Sequence, residues 1–167
     1  MIPYRETLRF SESERGLVLR ALNEAEERTS KYYCFPPFRW EQLRYDLLTQ
    51  ADHGWEPLPD IMLARVRRLQ RINPERPFDF YRIELNDNSI LAAAERENLQ
   101  SRLYPFFVYI LTHEMIHMVR ISSILEGEEE DHPPETEELR VQQISRRILN
   151  KSSDFHPILE RFCTVPS

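Results

Sequence analysis

Glycine and cysteine are scarce in this chain, and basic residues are outnumbered by acidic ones. Only 3 glycines stand against 12 prolines, which argues against a turn-rich β fold and for helices joined by stiff connections. The two cysteines, Cys34 and Cys163, are isolated and form no CxxC pair; both are read as reduced thiols. Lys and Arg number 22 against 28 Asp and Glu, for a net charge of -6, so bulk electrostatics give no support to nucleic-acid binding. The opening Met1-Ile2-Pro3-Tyr4-Arg5-Glu6 lacks the apolar core of a secretory signal. No apolar run approaches the length of a membrane span. These absences point to a cytoplasmic protein with no membrane and no nucleic-acid partner.

What is present fits one domain over residues 1–167, with a helical N-terminal part at 1–75 and a second part at 76–167. Ser11 and Glu14 form a capping box, predicting a helix over 12–31 with Leu17, Leu19, Leu22 and Ala25 as its apolar positions. The aromatic and proline cluster at 32–38 breaks it. A second helix is expected over 40–49, ended by His53-Gly54. A third opens at Pro59-Asp60, with Ile61, Met62, Val66 and Leu69 on one face, and stops at Asn73-Pro74. Residues 78–85 alternate apolar and polar, as a strand does. Asn86-Asp87-Asn88 reads as a turn, and 89–92 fits either a return strand or a helix start. Pro105 sits near the first turn of a helix expected over 103–122, and His132-Pro133-Pro134 begins the last, running to about residue 150.

The residues that carry chemistry lie on the first of these two helices. Thr112-His113-Glu114-Met115-Ile116-His117 reads His-Glu-x-x-His inside an apolar run. Residues four apart share a helix face, so His113 and His117 aim two imidazoles at one ion. Glu114 is about 100° round the helix from His113, placed to reach a water on that ion. Catalytic zinc normally takes three protein ligands and a water, so a third ligand is expected downstream. Glu138 is the first choice, with Glu137 and His132 as alternatives, because counting alone does not separate the two glutamates flanking the stripe of Val141, Ile144 and Ile148. Gln142, one turn past Glu138, is a candidate hydrogen-bond partner to a ligand. Arg120, one turn past His117, is a helix-end charge or a partner for the acidic run at 126–131; its other reading is a group that polarises a substrate carbonyl. Glu114-x-x-His117 and Glu129-x-x-His132 also share the spacing of di-iron bundles, but the second copy lies in a proline-flanked acidic loop.

His113-Glu114-x-x-His117, followed by a helix with Glu138-x-x-Val141-Gln142, resembles the gluzincin metallopeptidases. The likeness covers roughly residues 78–150. It departs at Val141 and Gln142, where that family often has a small residue and an Asp or Asn. The resemblance implies an α+β, mainly helical zincin-like fold with a small antiparallel β element before the motif helix. It implies Zn2+ held by His113, His117 and Glu138, Glu114 as general base, and a peptide or protein substrate paired with the strand at 78–85. A metal-stabilised binding or regulatory protein without catalysis is the competing expectation; an open coordination position beside a groove distinguishes the enzyme.

Overall fold

The computed structural model describes residues 7–36, 43–52, 62–69 and 79–164. The expected breaks at 53–54 and 73–74, and the start at 59–60, lie outside them. The described chain is α+β and mostly helical. Helix α1 is Glu12–Tyr33; strands β1, β2 and β3 are Leu43–Thr49, Ala64–Leu69 and Asp79–Leu85. Helices α2, α3, α4 and α5 follow at Asp87–Arg96, Leu103–Leu125, Pro134–Leu149 and His156–Phe162. Single 3-10 turns precede α3 and α5.

α1 starts where its capping box places it: Glu14 N–H donates to Ser11 Oγ at 3.1 Å, and Ser11 N–H donates to Glu14 Oε1 at 2.8 Å. It ends at Cys34, whose φ of 53° is left-handed. Its buried face is Val18, Ala21, Ala25 and Thr29, so Leu19 is outside the core, 60% exposed. The short side chains of that face let α1 lie close against α3.

α3 is the centre of the molecule. Its unbroken run of Phe106 to Thr112 is entirely buried, which only a helix covered on every side achieves. α1, the sheet, α4 and α5 supply that cover. One apolar core runs from Phe10 to Cys163 through all of them. Among the described residues no helix is long and apolar enough to cross a membrane.

The sheet corrects three expectations. Residues 43–49 and 64–69 are strands where helices were expected, so the N-terminal part is not wholly helical. The sheet order is β1-β3-β2. β1 pairs with β3 in parallel and β2 pairs with it antiparallel, so the element is mixed rather than antiparallel. The strand at 79–85 is therefore central, with both edges already paired, and cannot accept a peptide by strand addition. Its inward side chains, Tyr81, Ile83 and Leu85, are fully buried beneath α3.

The expected turn at 86–88 is instead a tie point and a helix start. Asp87 is fully buried and its carboxylate accepts from Phe10, Gln50 and Ala51 N–H groups at 2.9–3.1 Å. Asn86 Nδ2 donates to the Met62 carbonyl at 2.8 Å. These bonds fix the segments before α1, after β1 and before β2 against the start of α2. Burial raises the Asp87 pKa, and the three amide donors oppose that rise.

Candidate metal centre

His113 and His117 lie one turn apart on α3, and Glu138 reaches them from the second turn of α4. His113 Nε2 is 2.9 Å from Glu138 Oε1, His117 Nε2 is 3.0 Å from Glu138 Oε2, and the two Nε2 atoms are 3.2 Å apart. Four ligands about 2.0–2.2 Å from a tetrahedral zinc ion stand about 3.3 Å from one another. The three side chains thus already stand at nearly that spacing. They form the one group of three or more His, Cys, Asp or Glu residues among the described residues that could hold a metal ion. The donor set of two imidazoles and a carboxylate suits zinc and other divalent first-row ions.

Of the three candidates for third ligand, only Glu138 joins this group. Glu137 points one step round α4 and is taken by Arg120. His132 lies before α4 and is not part of the cluster. Gln142 does not turn to a ligand: its Oε1 accepts from Thr164 N–H at 3.2 Å and Thr164 Oγ1 at 3.1 Å, tying the end of α5 to α4.

The imidazoles have little else to orient them. His113 Nδ1 is buried with no protein hydrogen-bond partner, whereas a metal-bound imidazole ordinarily donates from its second nitrogen. The His113 ring is fixed by packing instead, edge-on to His117 at 4.9 Å and tilted to Tyr109 at 6.1 Å.

Electrostatics follow from that crowding. Hydrogen bonds from His113 and His117 hold the Glu138 carboxyl far below the usual carboxylate range, against a desolvation that favours the neutral form. Burial pulls the His117 pKa down, but the Glu138 hydrogen bond and the charges of Glu114, Glu138 and Glu137 outweigh it, and the net shift is upward. Glu114 is 7% exposed. Burial pushes its carboxyl up, the two imidazoles pull it down, and Glu138 adds to the rise. A raised carboxyl takes up a proton closer to neutral pH.

The cluster opens on a cleft of about 520 Å³. His113, Glu114 and His117 share one wall with Ile110 and Ile121. β2 and the residues before it, Leu63, Ala64 and Val66 among them, form the facing wall; Tyr109 and Phe162 also line it. Sequence reasoning missed this wall because 64–69 read as a helix. Arg120 does pair with the acidic segment, as expected, through Glu129 at 3.1 Å; its second partner, Glu137 on α4, was not singled out from the sequence. Glu138 itself keeps 46% of its side chain exposed, so the cluster is reached from solvent. No protein-family model, curated protein or solved structure matches the chain.

Proposed function

We propose that the chain is a zinc-dependent metallohydrolase acting on peptide bonds, of the gluzincin type that its motif resembles. The observation that carries this reading is the placement of His113, His117 and Glu138 on the rim of an open cleft, with the buried Glu114 on the same wall. Zinc bound by the three would supply Lewis acidity toward a carbonyl and acidify a water. Glu114 takes a proton from the attacking water at its carboxylate and returns it to the leaving amine. His113 and His117 act as neutral donors through Nε2, which places their protons on Nδ1. Ile110, Ile121 and Val66 give the cleft an apolar lining beside these groups.

The peptide in this reading lies along β2, an edge strand of the sheet among the described residues and a wall of the cleft, and not along β3. The three donors supported by a roomy cleft favour catalysis over the alternative, a metal-stabilised binding or regulatory protein, because a structural site closes its shell with a fourth protein ligand.

Elemental analysis after dialysis is expected to give one zinc per wild-type chain and per Glu114→Gln chain, and none for His117→Ala or Glu138→Ala. Digestion of a diverse peptide library, read by mass spectrometry, should show cleavage by the wild type alone. Equal cleavage by Glu114→Gln would sink the mechanism. A wild type that keeps zinc and cleaves nothing would leave the non-catalytic alternative standing.

A further inference from the structure

The first two turns of α4 dock without apolar packing. Glu135, Thr136, Leu139 and Arg140 are exposed, and the first buried residue of the helix is Val141. Only Glu137 and Glu138 turn inward. Glu138 meets the imidazoles. Glu137 meets Arg120, whose Nε donates to Oε1 while its terminal NH2 group donates to Oε2 at 2.9 Å. The other terminal nitrogen of Arg120 donates to Glu129 Oε2 at 3.1 Å. Arg120 sits on α3 with its side chain 4% exposed. A buried guanidinium is costly unless its donors are met, and a forked pair with a carboxylate fixes direction as well as distance.

Resting on the metal-site reading above, we infer that Arg120 is a positioning residue: through Glu137 it sets the rotation of α4 and so holds Glu138 against His113 and His117. Glu129 steadies the guanidinium from the acidic loop joining the two helices. Arg120 neither touches the ligand atoms nor faces the cleft. Its effect is mechanical, and that gives the test a sign. A cation near a dication repels it, so if charge alone mattered, removing Arg120 would tighten metal binding. If Arg120 positions Glu138, removing it weakens binding despite the lost repulsion.

The test is zinc affinity by competition with a chromophoric chelator, together with the visible absorption of the Co2+-substituted protein. Arg120→Met is expected to weaken zinc by about 10–100-fold and to alter the cobalt bands. Arg120→Lys, which keeps the charge but not the fork, should recover part of the loss. Glu137→Gln should weaken zinc comparably, whereas Glu135→Gln, an equal loss of charge at an exposed site on the same turn, should change it by less than about twofold. Unchanged or tighter zinc in Arg120→Met would overturn the inference. If Arg120→Met does not fold, Glu137→Gln decides alone, with wild-type affinity counting against. A wild type without zinc would instead fail the metal-site reading itself, before any variant is compared.

Discussion

Glu138 favours the protonated form of His117, the form that a bound metal would have to displace. In chelator-treated protein the Glu138 interaction raises the His117 pKa above its ordinary value. A group whose folded pKa is raised contributes stability that is complete below its unfolded pKa, about 6.5 for histidine. That contribution is lost as pH climbs through the folded value. Glu114, raised by burial, also loses stability as pH rises, over a window that begins at the ordinary carboxylate value. Glu138 is shifted the opposite way, and its contribution disappears only in acid. The metal-free Tm is therefore expected to fall between about pH 6 and pH 8. Zinc needs both imidazoles neutral, so the gain in Tm on adding zinc should grow over the same interval. Thermal scans at the two pH values, with chelator and with zinc, check both slopes. A metal-free Tm that climbs across this interval would count against the His117–Glu138 interaction. At this scale the candidate cluster was legible where its members are local: His113 and His117, four apart, share a helix face. Glu138 was one choice of three, since its selection depends on how α4 is rotated, and that rotation is set by Arg120 and Glu137 across a loop.

Helices α1, α3 and α4 were readable because each carries its own start signal and an apolar face. β1 and β2 were not. Leu43 and Leu47 are four apart, and Met62, Val66 and Leu69 recur at helical spacing, so both segments satisfy a 3.6-residue period. The alternation of Leu43, Tyr45, Leu47 and Thr49 satisfies a 2-residue period equally well. Pairing with β3 decides between them, and it is non-local. On β2, Arg65 and Arg67 look like a solvated helix face, but both pair with Glu84, which is 2% exposed on the outer face of β3. The register has a functional consequence. Asn86 N–H donates to the Leu63 carbonyl at 2.8 Å, and Leu63 stands opposite Asn86 when the ladder is continued. Hydrogen-bonded pairs alternate along an antiparallel ladder, so Arg65 and Arg67 bond to β3 while the backbone groups of Ala64 and Val66 point away from it. Val66→Pro removes an edge donor without removing a ladder bond. The variant is expected to keep its far-UV circular dichroism and its zinc, and to lose most of its peptide cleavage. Full cleavage by a folded Val66→Pro chain would show that substrate does not pair with β2.

Across the whole molecule, the site joins elements that the core leaves loosely joined. α3 is anchored by apolar contacts on every side, whereas the start of α4 is attached through the charged groups Glu137 and Glu138. Metal binding should therefore act as a fold-wide staple with a magnitude set by mass action. Zinc at a hundredfold excess over its Kd contributes about 2.7 kcal/mol to a state that binds it. At about 2–4 °C per kcal/mol for a chain of this size, Tm should rise by roughly 5–10 °C. His117→Ala and Glu138→Ala should show no such rise. Leu111→Ala supplies the contrast: Leu111 is fully buried in the main core and lies about 200° round α3 from His113. Its truncation should cost about 2–5 kcal/mol and lower Tm in either condition, while the increment from zinc persists. Differential scanning fluorimetry on the four proteins, with and without zinc, separates a core that has been thinned from a staple that has been removed. If zinc moves wild type and Glu138→Ala equally, the carboxylate is not a ligand and α4 is held by Arg120 alone.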